Sequence, residues 1–479
     1  MRHLLVLDVG TTGVRATLVD EEGLPGAVRY RRTAPSRPAA GVSEFDPAAL
    51  AAAALAVAGE ALSGARVAGV AVANQRASTV LWDAADGRPL GPGLGWQDLR
   101  TVGQCLALRA SGLRLAPNQS ATKLAYLLGA AGAGASEPRF GTLDTFIAWH
   151  LSGGALHVTD ASNAGVTGLL AGDGSGWDPA VLSALGLDEA LLPAIVASSA
   201  LLGEASALPG APPIAGLVGD QQASLIGQGC VLPGAAKATF GTGGMLDLCV
   251  GGERPAFAVR GEAGTFPIVA WRLGEELTWG IEAILLAAGS CVEWLRDGLG
   301  LIERVEDSSA LAASVRDSGG VTFVPAFGGL GTPAWDFGAR GTLVGLDQST
   351  TRAEIVHAVL DGIAQCGADL LEAVESDGGC RIEHLCIDGG MSTNATFVQL
   401  LADATGRPVL VSAVSEATTL GAAFLGGSAC GLYPSLAGAT GLIGAPRAVE
   451  PRRRADRGRW LDARERALRT VPLLSALEF

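Results

Sequence analysis

The chain has 479 residues, of which 48% are hydrophobic and 17% charged. That is material for a large core, it excludes a disordered protein, and it points to two or more domains. A formal net charge of −14 argues against a nucleic-acid partner, which needs a basic face; it does not argue against ATP, whose phosphates are held locally by backbone N–H groups and Mg2+.

No segment reads as membrane-spanning. The Ala/Leu-rich stretches near Ala48–Ala61 and Leu127–Ala135 are short and broken by Gly or charge. The N-terminus has four apolar residues before Asp8, which fits a buried first strand better than a signal peptide, so a cytoplasmic location is expected. Eight cysteines, with no Cys-x-x-Cys, read as buried thiols in a reducing compartment. The five histidines give no zinc signature.

Leu4–Leu7 leads to Asp8, the turn Gly10-Thr11-Thr12-Gly13 follows, and Val14–Asp20 alternates again. This spacing predicts a hairpin whose first strand ends in a carboxylate. Helices are predicted at Pro47–Leu62, Val102–Ala110 and Thr122–Ala130, and strands at Val67–Ala73 and Thr79–Trp82. The loop Pro209–Pro213 precedes an apolar strand, and a lobe boundary is placed near residue 228. Lys237–Phe240, Gly241-Thr242-Gly243-Gly244 and Met245–Val250 repeat the first hairpin pattern, which suggests a duplicated α/β architecture of two lobes closing on a nucleotide. Further helices are predicted at Glu282–Leu295, Thr351–Glu375 and Asn394–Thr405. The charged stretch Pro451–Leu468 reads as a solvated surface helix. The expected division is 1–228, 229–445 and a tail helix within 446–479.

Phosphoryl transfer needs a cradle of backbone N–H groups, carboxylates for Mg2+, and a base at the attacking hydroxyl. No Walker A sequence is present. Asp8-Val9-Gly10-Thr11-Thr12-Gly13 offers a turn whose amides and hydroxyls can face phosphate, with Asp8 placed for Mg2+ and Arg15 within reach of a phosphate. The same tetrapeptide also serves as a plain turn. Asp220, after an apolar strand, can accept a proton from a reacting hydroxyl; it also fits a helix N-cap.

Gly219-Asp220-Gln221-Gln222-Ala223-Ser224-Leu225 followed by Gly241-Thr242-Gly243-Gly244 resembles the centre of the FGGY carbohydrate kinases, and their glycerol kinase branch in particular. Asn74-Gln75-Arg76, Trp96-Gln97-Asp98, Thr122-Lys123, Gly141–Thr145, Thr159–Asn163, Ala339-Arg340-Gly341 and Asp388–Asn394 fall in the family's order, over roughly residues 4–434. The resemblance implies two ribonuclease-H-like lobes of the actin/hexokinase type, with ATP and substrate in the cleft. It implies that Asp220 is the catalytic base and that Asp8, with Asp220, lies at Mg2+. Thr11, Thr12 and Arg15 would form the first phosphate loop and Gly241, Thr242 and Gly243 the second. Gly389, Gly390 and Asn394 would form the adenosine site, with Gly289 and Glu293 on the nucleotide side. Relatives are often dimers or tetramers, so a homo-oligomer is expected, with no interface singled out.

On the substrate side the resemblance implies Arg76, Trp96, Asp220 and Gln221. Three positions depart: Ala77 stands where glycerol kinases carry Glu, Asn118 where they carry Tyr, and Met245 where they carry an aromatic. Losing a carboxylate acceptor costs about 1.5–3 kcal/mol for a substrate that used it. The three changes together lead to the expectation of a four- or five-carbon polyol or ketose rather than glycerol. A genuine glycerol kinase is the alternative. Leu99, where Arg is usual, is expected to act only at the surface. Rival classes are a nucleotide-binding sensor of the same fold and a chaperone or cytoskeletal ATPase; Arg76, Trp96 and Asp220 argue against both.

Overall fold

Leu4, Leu5, Val6, Leu7 and Val9 are apolar on both sides of the pleat, and both sides are covered: in the computed structural model they form the buried strand β1 (His3–Val9). The structure describes residues 2–132, 136–414 and 416–477, so the last three residues of the apolar stretch 127–135 lie outside it. The strands that pair with β1 and its neighbours are β2 (Gly13–Asp20), β3 (Arg29–Arg32), β4 (Gly69–Asn74), β5 (Ser199–Glu204) and β6 (Pro213–Gly219). The second half supplies β7 (Ala236–Phe240), β8 (Gly244–Gly251), β9 (Phe266–Leu273), β10 (Glu276–Leu285), β11 (Leu385–Asp388), β12 (Val409–Val411) and β13 (Arg447–Val449).

These strands form one sheet in the order β13-β12-β11-β7-β8-β10-β9-β5-β6-β4-β1-β2-β3. In the first half β3-β2-β1 is antiparallel and β1-β4-β6 parallel. In the second half β10-β8-β7 is antiparallel and β7-β11-β12 parallel. The same order and directions occur twice, the arrangement of two ribonuclease-H-like lobes. The predicted duplication of the Gly/Thr hairpin is thus real: Gly10–Gly13 joins β1 to β2, and Gly241–Gly243 joins β7 to β8.

Two helices lock the lobes together. They are α1 (Asp220–Gly227), after β6, and α2 (Ala417–Ala429), after β12. A Cβ at Gly421 would lie 1.8 Å from the Ala223 carbonyl oxygen, and one at Gly227 would lie 1.9 Å from that of Ala417. Only hydrogen fits at this crossing. α2 comes late in the chain yet packs on the first lobe: Phe424 and Leu425 share one apolar cluster with Leu4, Val6, Ala71 and Val218.

Two expectations are corrected. Glu282–Leu295 is not one helix. Its first four residues complete β10, all paired with β8 and Glu282 with β9 as well, and a helix begins only at Gly289 and runs to Asp297. A fully buried strand rich in Ala, Ile and Leu has no alternation to distinguish it from a helix, and pairing overrides helix propensity. The tail helix Arg457–Ala467 is not simply solvated. Trp460, Ala463 and Ala467 join the second lobe's core, and Trp460 Nε1 donates to Asp369, which Arg457 and Arg464 also grip. The other predicted helices are present within a few residues, and Leu99 is exposed. Among the described residues no helix is long and apolar enough to cross a membrane.

Candidate active site

β1, β4 and β6 run parallel and end level: Val9 lies beside Asn74, and Asn74 beside Gly219. Chain continuations beyond such ends form a natural crevice. Here they bring Asp8, Gln75-Arg76 and Asp220-Gln221 to one edge. Alternation puts Asp8 on the face shared with Leu4 and Val6, which is the face that carries α1 and α2.

A buried polar nest holds two of these ends. The Gly219 N–H donates to Ser162 Oγ at 2.9 Å, and Ser162 Oγ donates to Asp160. Asn74 and Asn163 exchange amide hydrogen bonds at 2.8 and 3.1 Å. Asp144 accepts from Thr142, Thr159 and the Asp160 N–H. The runs Gly141–Thr145 and Thr159–Asn163 therefore support the site from behind. Burial, with the Asp160 charge beside it, pushes Asp144 up to about 7 from 3.8. The folded chain then holds a proton that the unfolded chain has lost, so stability falls as pH rises from about 4 to about 7. Asp144→Asn is expected to flatten this fall by about 1–3 kcal/mol, read as urea midpoints across that range.

Asp220 is not the N-cap of α1. Gly219 takes that position, and the Asp220 carboxylate accepts from the Gln221 N–H at 2.8 Å. Burial raises Asp220 above the usual carboxylate range; Arg76, 3.6 Å away through its Nε, opposes this. Asp8 is pushed up to about 6 by burial, with the charge of Asp220 adding and that of Arg15 opposing. Arg15 Nη1 lies 3.2 Å from Asp8. Thr11 Oγ1 donates to Gln75 Oε1 and accepts from Trp96 Nε1, at 3.0 and 3.2 Å. Thr12 is exposed, and its carbonyl accepts from the Thr33 N–H and the Tyr30 hydroxyl.

Arg76, expected on the substrate side, is the hub of a polar cluster that joins the two lobes. Its Nη2 meets Glu282 at 2.5 Å and the Met245 sulfur at 3.8 Å, while its buried Nη1 has no partner among the described residues. Ala77 is buried with φ 57°, and Gln221 accepts from Lys237 Nζ at 2.7 Å. Asn118 is exposed. It joins this region through its carbonyl, because the buried Lys123 ammonium donates to it and to the carbonyl of Gly95, next to Trp96. Burial, opposed by the Asp98 charge, lowers Lys123 to about 7.

In the second lobe the N–H groups of Ala288 and Gly289 donate to the carbonyls of Thr242 and Gly241, which stitches the Gly289–Asp297 helix to the second Gly/Thr loop. A Cβ on Gly289 would strike the Gly241 oxygen. Glu293 is exposed on that helix, one turn on. Gly389 has φ 85°, and a Cβ there would lie 2.5 Å from the Phe240 carbonyl, so the Gly389-Gly390 turn sits directly against that loop. Asn394 caps the helix Ala395–Thr405: its Oδ1 accepts from the Phe397 N–H and its Nδ2 donates to Ser308, so its side chain is already engaged.

Residues 3–227 match the N-terminal domain and residues 236–430 the C-terminal domain of the FGGY family of carbohydrate kinases. The chain belongs to this family. It is a phosphotransferase with an alcohol group as acceptor. It is 43% identical to a glycerol kinase of Aromatoleum aromaticum, covering 98% of this chain and 99% of the relative. It is 42% identical to one of Trichlorobacter lovleyi, covering 90% and 91%. Its fold matches that of Plasmodium falciparum glycerol kinase with ADP at a TM-score of 0.91, with 26% identity over 98% of each chain. A xylulose kinase from Brucella ovis matches at 0.87, with 27% identity over 100% of each.

The sequence reading of this FGGY kinase missed Lys237, Asp247 and Glu282. They sit side by side on β7, β8 and β10 and are all buried. A signal existed for Asp247. Alternation along β8 puts it on the same face as Met245, while Leu246 and Leu248 face the second lobe's core.

Proposed function

We propose that this enzyme transfers the γ-phosphoryl group of ATP to a primary hydroxyl of glycerol. The observation that carries the chemistry is Asp220 beside Arg76 at an edge shared with Asp8. The full-length likeness to glycerol kinases supports the acceptor.

Asp220 would orient the hydroxyl and take its proton; burial raises its basicity for that step. Arg76 would donate to a neighbouring hydroxyl through its unpartnered Nη1, and Trp96 would wall the carbon chain. The Thr11-Thr12 turn and Arg15 would hold phosphate from the first lobe, and the Gly241–Gly243 turn from the second. Gly289, Glu293, Gly389, Gly390 and Asn394 would border the nucleoside. Asp8, which is buried, and Asp220, half-buried at the same edge of strand ends, would hold Mg2+, which takes one or two carboxylates plus phosphate oxygens. When bound, it supplies neutralisation of the phosphate charge. Apposed lobes would exclude water as a competing acceptor.

Ala77, Asn118 and Met245 favour a second reading, a four- or five-carbon polyol or ketose. Against it, Glu282 keeps a carboxylate beside Arg76 even though Ala77 has none. ADP release from ATP·Mg2+ across glycerol, erythritol, ribitol, xylitol, arabitol, xylulose, ribulose and gluconate tests both. Glycerol is expected to give the highest kcat/KM, by about 10-fold or more. A higher value for a C4–C5 acceptor would establish the second reading. Silence throughout, with ATP still bound, would overturn both acceptors and leave a rarer acceptor or a sensor of the same fold.

A further inference from the structure

Lys237, Asp247 and Glu282 occupy one register row across three adjacent strands, Lys237 opposite Asp247 and Asp247 opposite Glu282. Lys237 Nζ lies 2.7 Å from Asp247 Oδ2, and neither side chain is exposed. Both ends of the row reach into the first lobe. Lys237 donates to Gln221 Oε1 at 2.7 Å, and Glu282 receives Arg76 Nη2. Arg76 also lies beside the Asp220 carboxylate, which accepts from the Gln221 backbone N–H, so the row is tied at both ends to the Asp220 region across the lobes.

We propose that Glu282 is a positioning residue for the acceptor site: from the second lobe it fixes the Arg76 guanidinium so that the free Nη1 faces the acceptor's hydroxyls, while Lys237 holds Gln221 in the same way. The inference rests on the assignment of the acceptor to Arg76 and Asp220. The physical reason is the shape of the groups. A guanidinium is a rigid plane, so binding one edge to a carboxylate aims the remaining donors. An arginine not held this way would distribute its long side chain over many rotamers and present Nη1 only part of the time. Because Glu282 and Arg76 come from different lobes, the donor is aimed only when the lobes are together. The lobe that carries the second Gly/Thr turn thereby organises the acceptor side.

The test is steady-state kinetics of the full chain with its best acceptor from the panel, measured first on the wild type. Wild-type silence would overturn the assignment of the site before any variant is made. Glu282→Gln keeps the size and removes the charge; Glu282→Asp keeps the charge and shortens the reach. Both are expected to raise the acceptor KM about 10-fold or more, with the ATP KM within about 2-fold and kcat lowered less than the acceptor KM rises. Glu282→Gln combined with Arg76→Lys should be about as impaired as Arg76→Lys alone, because both remove one interaction. An unchanged acceptor KM, equal changes in both KM values, or multiplicative effects in the double variant would overturn the proposal. Failure of both single variants to melt cooperatively or to bind ATP would also overturn it, in favour of a purely structural role.

Discussion

Asp220→Asn is expected to lower kcat by about 10²–10⁴-fold while ATP binding persists. The amide keeps the size of the carboxylate and cannot take the hydroxyl proton. The expectation follows from where Asp220 stands. It is the first residue of α1, held at the end of β6 by the bond from the Gly219 N–H to Ser162. Its carboxylate is half-buried and receives one backbone N–H, so its geometry is set before any substrate arrives. The proposed nucleotide side is built from other parts of the chain, chiefly the Gly241–Gly243 and Gly389-Gly390 turns, and their bonds do not involve the Asp220 side chain. Single-turnover ADP formation measures the first effect and calorimetric titration with ATP the second. Turnover within about 10-fold of wild type would remove Asp220 from the role of base.

The second large effect concerns stability. Lys237→Met is expected to destabilise the chain by about 3–5 kcal/mol. Methionine fills the volume but leaves Asp247 buried without its cation, with Glu282 as the neighbouring residue on the next strand. It also leaves Gln221 Oε1 without its donor. An uncompensated charge at a site with no exposure costs far more than the pair contributed when intact. Lys237→Met combined with Asp247→Asn should recover most of the loss, because the orphaned charge is then gone. Urea midpoints for the two single variants and the pair measure this. A Lys237→Met variant as stable as wild type would show that the row carries no such coupling.

Much of this protein was legible in its residues taken in order. Leu4–Leu7 before Asp8 and Ile214–Leu217 before Gly219-Asp220 announce buried strands with a carboxylate at the exit. The two Gly/Thr turns announce the duplication, which the sheet order repeats strand for strand. Such features are local. A turn needs its glycine and a buried strand needs its apolar run whatever surrounds them, so sequence order suffices to read them.

The errors share a cause. In sequence Glu282–Leu285 reads as helix because a strand covered on both faces shows no alternation; its pairing with β8, and at Glu282 with β9, makes it a strand. The tail was read as solvated because Arg457 and Arg464 dominate its composition, yet both turn onto Asp369, about ninety residues earlier in the chain, and Trp460 is buried between them. The altered-acceptor reading from Asn118, Ala77 and Met245 is no error of this kind and stays open to the acceptor panel, but it takes no account of Glu282. Nothing near Arg76 in sequence points to Glu282, on a strand some two hundred residues later.

The sequence by itself determined the family and the duplicated hairpins and singled out Asp8, Arg76 and Asp220 as candidates, because each rests on a short run of residues whose local chemistry is self-contained. Only the tertiary structure decided how those residues are held. The level ends of β1, β4 and β6, the glycine crossing of α1 on α2, and the row from Lys237 through Asp247 to Glu282 and Arg76 all join segments far apart in the chain. A buried charge is tolerable only beside its partner, and which residue becomes that partner is settled by strand register and lobe packing rather than by neighbours in sequence.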